Sequence, residues 1–117
     1  MPLLNLVVLR FDDIDAAAEF YGAFGLEFVR HRHGSGPEHY SAEAGGVVLE
    51  LYPRADQPAT VGARIGFQVD GLDGVVEKVS AAGGVVVSAP KQSPWGRRAV
   101  VRDPEGHNVE LVEGDGN

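Results

Sequence analysis

Two glutamates interrupt otherwise apolar segments. Glu50 lies in Val47-Val48-Leu49-Glu50-Leu51-Tyr52, and Glu110 in Asn108-Val109-Glu110-Leu111-Val112. Both segments read as β-strands, where alternate side chains point to opposite faces. Val47, Leu49 and Leu51 then claim one face and Val48, Glu50 and Tyr52 the other. Val109 and Leu111 likewise oppose Asn108, Glu110 and Val112. A carboxylate in such a strand is costly to bury and needs a partner. A pair of them can share a hard cation with several waters, or one can act as a general base.

Arg64 is the nearest cation of interest. It opens Arg64–Val69, in which Ile65, Phe67 and Val69 are apolar, so Arg64, Gly66 and Gln68 share the opposite face. If the two halves of the chain curl around one cleft, Glu50 and Glu110 converge with Arg64 beside them. A guanidinium there neutralises one carboxylate and offers a fork to the second.

Four histidines are also present. His31 and His33 flank Arg32 beside the glycine-rich Gly34-Ser35-Gly36-Pro37, and are expected as solvated loop residues. His39 falls on a strand and is the better ligand or acid–base candidate. His107 follows Gly106 in a turn and is expected to be exposed. Trp95, between Pro94 and Gly96, is expected in a loop as a lid, a dimer contact or a stacking wall for a flat ligand. Tyr52 shares the face of Glu50, and Tyr40 and Gln68 are further candidates to line the cleft. Of Arg97 and Arg98, parity lets only one face inward. The glycine pairs do not precede a helix, so they form no phosphate cradle, and no serine carries a nucleophile elbow.

Turn signals divide the chain into the elements that must position these groups. Leu4–Phe11 is a strand. Asp13 or Asp15 caps a helix running to about Phe24, with Gly25 as its stop. Leu26–His31, His39–Ala44 and Val47–Tyr52 are three further strands. After a polar, proline-bounded linker the order recurs. Arg64–Val69 is a strand, and Asp70 or Asp73 caps a helix to about Ala82. Val85–Ser88, Arg97–Arg102 and Asn108–Val112 are strands, with Ala89–Gly96 as a loop. Sliding one half over the other pairs Phe11 with Val69, Asp12 with Asp70, Asp15 with Asp73, Glu19 with Glu77 and Gly25 with Gly83. It also sets Gly46–Leu51 on Gly106–Leu111. The same overlay matches Leu6, Val8 and Arg10 to Arg64, Gly66 and Gln68. An internal βαβββ duplication organises these identities. The expected fold is α+β, with tandem βαβββ modules forming a curved mixed sheet around a cleft. Residues 1–117 form a single domain: module one about 3–53, a linker about 54–61, and module two about 62–113.

Composition limits the partners. The 117 residues contain no cysteine and carry a formal charge of −7. Thiolate metal sites and cysteine nucleophiles are excluded. The acidic balance argues against nucleic acid, which needs a basic face. No apolar run approaches a membrane span, and the N-terminal stretch reads as a strand and not as a signal peptide, so a cytoplasmic protein is expected. The tail from Gly114 to Asn117 is expected to fray.

Two segments carry a family resemblance. Phe20-Tyr21-Gly22-Ala23-Phe24-Gly25-Leu26 looks like an FY…LG signature with Phe24 at the leucine, and Asp103-Pro104-Glu105-Gly106-His107-Asn108-Val109-Glu110-Leu111 follows a DP.G…EL ending. With the doubled βαβββ plan, the chain resembles the vicinal oxygen chelate superfamily: glyoxalase I, extradiol dioxygenases, fosfomycin-resistance enzymes and bleomycin-resistance proteins. The resemblance implies ligands on the first and last strand of each module in members that are metalloenzymes. Those positions are Leu6, Glu50, Arg64 and Glu110 here. Leucine offers no donor atom, and a protonated arginine repels a cation.

The expected function is therefore binding of a small organic molecule in the inter-module cleft, with no tightly bound catalytic metal. Glu50, Arg64, Gln68, Tyr52, Trp95, Asn108, Leu6 and Val8 are the expected ligand-binding set, and Glu110 is the catalytic candidate if there is a reaction. The alternative is a metal-dependent lyase or isomerase, with a divalent ion on Glu50 and Glu110. A third reading is a metal-free enzyme that uses a glutamate base and Arg64 as an oxyanion partner. The resemblance also implies a homodimer.

Overall fold

Period-two apolar alternation, broken by glycine turns, folds as eight strands and two helices. A computed structural model describes residues 1–114; of the expected frayed tail, residues 115–117 lie outside the described residues. Module one consists of β1 (Leu6–Phe11), α1 (Ile14–Gly22), β2 (Val29–His31), β3 (His39–Ala44) and β4 (Val47–Pro53). Module two repeats the order with β5 (Ile65–Val69), α2 (Leu72–Ala81), β6 (Val85–Ser93), β7 (Gly96–Arg102) and β8 (Asn108–Glu113). Each module forms a four-stranded mixed sheet, in the orders β1-β4-β3-β2 and β5-β8-β7-β6. The first and last strands of each module pair in parallel, and the other neighbours are antiparallel.

The register makes the duplication concrete. Glu50 stands between Val8 of β1 and Ser41 of β3. Glu110 stands between Gly66 of β5 and Val100 of β7. The two glutamates thus hold the same place in the two sheets.

The helix-facing residues merge into one core. Leu9, Phe11, Phe20, Tyr21, Leu49 and Leu51 of module one join Val69, Leu72, Val75, Val79, Val101, Val109 and Leu111 of module two. The seam between modules is aromatic, with Phe24 5.1 Å and Tyr21 6.3 Å from Phe67 between ring centroids. Gly84 permits the close packing at this seam. A Cβ there would lie 2.6 Å from Phe20 and 2.7 Å from Val79, nearer than such atoms approach.

Helix α1 starts as its sequence predicts, with the Asp13 side chain accepting from the Ala16 N–H. Helix α2 does not. Gly71, not Asp70 or Asp73, is its N-cap, with φ at +66° and no side-chain cap of its own. The carboxylate of Glu113, from the far end of β8, accepts from the Leu72 N–H instead. Strand β6 also runs longer than expected. It continues through Ala89 and Pro90 to Ser93, with two register shifts, so the expected loop becomes strand and a tight turn at Pro94 and Trp95. Proline is tolerated there because β6 is an edge strand.

The DP.G segment forms a buried joint. The Asp103 Oδ1 accepts from the backbone N–H groups of Glu105, Gly106 and His107. Its Oδ2 accepts from the Tyr21 hydroxyl at 2.8 Å and lies 2.8 Å from His107 Nδ1, at a poor hydrogen-bond angle. Burial alone would raise the Asp103 pKa, but the adjacent His107, through its ring and its backbone N–H, and the Tyr21 hydroxyl outweigh it and hold the carboxyl below its ordinary value. Burial, then the neighbouring Asp103 charge, pushes the Tyr21 hydroxyl pKa up. His107 is 1% exposed, contrary to the expectation of a surface turn. Its Nε2 pairs with Thr60 Oγ1 at 2.7 Å, and its ring packs against Phe11.

Candidate functional site

Away from the helices, each sheet presents an open face that carries the sequence-predicted residues. They fall into two groups, one on each sheet. Leu6, Val8, Glu50 and Tyr52 lie on module one. Arg64, Gln68, Asn108 and Glu110 lie on module two. The parity expected for β4, β5 and β8 holds: Leu49, Leu51, Val69, Val109 and Leu111 are buried on the other side.

On module two, Glu110 is held by two guanidinium groups. Arg98 donates to its Oε1 from both Nε, at 2.9 Å, and Nη2. The Arg64 Nε stands 2.8 Å from its Oε2. The hydrogen bonds from Arg98 are the main cause that keeps the Glu110 carboxyl below the ordinary carboxylate range, with the Arg64 charge adding to them. That makes Glu110 a weak general base near neutral pH. Arg64 meets Glu110 as the sequence suggested. Arg98, its second partner, was legible only as one of two candidates. Its neighbour Arg97 turns to the helix side and pairs with Asp73 of α2 at 2.7 Å. Asn108 accepts from Arg102 at 3.0 Å. Gln68 and Glu110 line one shallow depression with Gly66, Phe67 and Val112.

On module one, Glu50 has a different partner. Its Oε2 lies 3.7 Å from His39 Nε2, and among the described residues no ion pair joins it to Arg64. The His39 ring lies against Tyr52, with centroids 4.1 Å apart and planes 12° from parallel. Arg10 sits over the outer part of that stack, 5.3 Å from the Tyr52 centroid. His31 and His33, expected in a solvated loop, gather around His39. The antiparallel pairing of β2 and β3 sets His31 directly across from His39. One possible ligand atom from each of the three lies within 4.8 Å of the others. Tyr40 is not on this face. It turns to the helix side, where its hydroxyl donates to Asp15 at 2.6 Å. Leu6 is 48% exposed, and Trp95 is 75% exposed at the tip of the β6–β7 turn.

Between the modules lies an apolar cavity of about 350 Å³. Leu4, Val7, Val47 and Leu49 line it from one side, and Ile65, Gly66 and Phe67 from the other. Arg64 also lines it, and its side chain is about half exposed.

This architecture has known counterparts. Residues 3–111 match the model of the Glyoxalase/Bleomycin resistance protein/Dioxygenase superfamily. The chain belongs to that superfamily. A Vibrio cholerae protein named as a probable lactoylglutathione lyase is 29% identical over 119 residues, covering 91% of this chain and 86% of the relative. Among solved structures, a hypothetical protein from S. aureus superposes with a TM-score of 0.80 at 22% identity, covering 97% of this chain and 95% of that one. An antibiotic binding protein from Streptomyces superposes with a TM-score of 0.75 at 22% identity, covering 98% of each. At those identities the structural likeness concerns the fold.

Metal-dependent members of the superfamily would need donors at Leu6, Glu50, Arg64 and Glu110. The residues present do not fit. Leu6 has no donor atom, Arg64 is a cation, and both oxygens of Glu110 are taken by guanidinium groups. No helix among the described residues is long and apolar enough to cross a membrane.

Proposed function

We propose that this superfamily member binds a small organic molecule between its modules, without a catalytic metal on Glu50 and Glu110. One observation carries the reading. Arg64 reaches both the Glu110 carboxylate and the apolar inter-module cavity. An arginine has five N–H donors in a planar fork, and a single contact from Nε leaves the terminal amino groups for a ligand. An apolar cavity with a few placed polar groups is the usual form of a small-molecule site. The favoured ligand class has an apolar body and an anionic or carbonyl oxygen for Arg64.

The role is sequestration and not turnover. Glu110 is a poor base while Arg98 and Arg64 hold it ionised. The same pairing disfavours the lyase or isomerase alternative, which needs Glu110 free to ligate. The antibiotic binding protein from Streptomyces with the same fold is a precedent for binding alone. The reading includes a homodimer in the cytoplasm. Exposed Leu4, Leu6 and Val48 supply apolar surface for a second copy.

The test is a thermal-shift and calorimetric screen of apolar carboxylates and aromatic ketones, run against the wild type and Arg64→Ala. Stabilising ligands should lose at least about tenfold in affinity in the variant, as for removal of a charged hydrogen-bond donor. Binding that ignores Arg64, or no binding across the panel, would sink the proposal.

A further inference from the structure

The histidine group on module one has no part in the reading above, and its chemistry is unusually specific. His39 is 1% exposed. Its Nδ1 lies 3.1 Å from the carbonyl oxygen of Pro37. A carbonyl can only accept, so Nδ1 carries the proton, and in the neutral ring Nε2 keeps its lone pair. That Nε2 is buried and has no hydrogen-bond partner among the described residues. The Glu50 carboxylate lies beside it, with Oε2 at 3.7 Å. A lone pair and a carboxylate facing each other at that distance repel. A cation between them would satisfy both.

The surroundings favour a metal ion over a proton as that cation. A proton would need only His39 and Glu50. Here His31 and His33 bring two more imidazoles to the same place, with ring centroids 4.4 and 5.3 Å from that of His39. One donor atom from each of the three rings lies within 4.8 Å of the others, which gathers them at one place. Donors about 2.0–2.1 Å from a tetrahedral ion stand roughly 3.4 Å apart.

The supports for such a site are also in place. The Pro37 carbonyl fixes the His39 tautomer, as a metal-bound histidine requires. Stacking on Tyr52 fixes its ring plane. Ser41 Oγ holds His31 Nε2 at 2.8 Å and leaves Nδ1 for another partner. His33 is exposed, which gives an ion a way in.

We infer that His31, His33 and His39, with Glu50 as a fourth donor, form a site for a divalent transition metal. Three imidazoles and one carboxylate suit Zn²⁺, Co²⁺, Ni²⁺ or Cu²⁺, and not Mg²⁺ or Ca²⁺, which prefer oxygen. The site is distinct from the superfamily ligand positions in all but Glu50, because β2, the loop after it and β3 supply the histidines. It also stands apart from the Arg64 reading, so either can fail alone.

The experiment is titration of tag-free, chelator-treated protein with Zn²⁺ by calorimetry and with Co²⁺ by visible absorption. One equivalent of each should bind, and Co²⁺ should give the intense bands of a four-coordinate nitrogen and oxygen site. His33→Ala changes an exposed side chain and leaves the fold intact. It and His31→Ala should each weaken Zn²⁺ at least about tenfold, and Glu50→Gln by about 10–100-fold. Glu110→Gln should change nothing. Absence of saturable binding by either ion overturns the inference. So does one-equivalent binding that survives in both His31→Ala and His33→Ala.

Discussion

The hydroxyl of Tyr21 donates to the buried carboxylate of Asp103 at 2.8 Å, fastening the helix of one module to the closing turn of the other. Tyr21→Phe keeps the ring and removes the donor. A hydrogen bond to a charged acceptor contributes about 1.5–3 kcal/mol, and urea unfolding should report a loss of that size with an unchanged slope. A loss below about 0.5 kcal/mol, as for an ordinary surface change, would show that the contact is idle.

Asp103 also predicts how stability depends on pH. Its folded pKa is depressed, while in the unfolded chain it titrates near the reference value of about 3.9. Its contribution is therefore fully present well above that value. It is lost as pH falls toward and through the folded pKa, because the unfolded state takes up the proton first. Melting temperatures from neutral pH into the acid range should fall along this limb. Asp103→Asn should be less stable at neutral pH and flatter in acid. An acid limb of the same depth in both proteins would contradict the assignment.

Gly84→Ala tests the seam between modules. The added methyl meets the Phe20 ring and Val79 at distances that force a shift, and overpacking of this kind costs about 1–3 kcal/mol. Phe20→Leu in the same chain should relieve part of that penalty. The double variant should then be more stable than the sum of the two single losses, as residues in contact show. Strict additivity would mean that the two do not meet.

The two neighbouring arginines of β7 should behave differently. Arg98 is the main cause of the lowered Glu110 pKa. Arg98→Ala should bring that carboxyl back toward its ordinary value in a carbon-13 NMR titration. Arg97→Ala should not, because Arg97 pairs with Asp73 on the other side of the sheet. Equal shifts from both variants would refute the facing of β7.

Parity was legible from the residues alone, as was turn chemistry outside the α2 cap and the Ala89–Gly96 segment. Alternation in β4, β5 and β8 gave the correct buried face, and the matched halves gave the order of strands and helices along the chain. What escaped was much of what depends on pairing distant segments. His31 meets His39 only through the β2–β3 register, and nothing in Arg30-His31-Arg32-His33 signals that register. His107 looked like a turn residue because its partners, Asp103 and Thr60, define a pocket only after folding. Glu113 caps α2 from 41 positions away, a distance no capping rule reaches. Arg64 beside Glu110 was foreseen from the duplication, whereas Glu50 turned to a histidine and not to the arginine.

The shared aromatic seam has a consequence for how the chain can unfold. Phe20, Tyr21 and Phe24 spend their surface on the other module, through Gly84, Asp103 and Phe67. Half of the duplicated chain, released on its own, would display those rings to water and leave the Asp103 joint without its hydroxyl. The repeat is therefore visible in topology but not in cooperativity. The two halves should melt as one unit, in a single transition whose calorimetric and van't Hoff enthalpies agree.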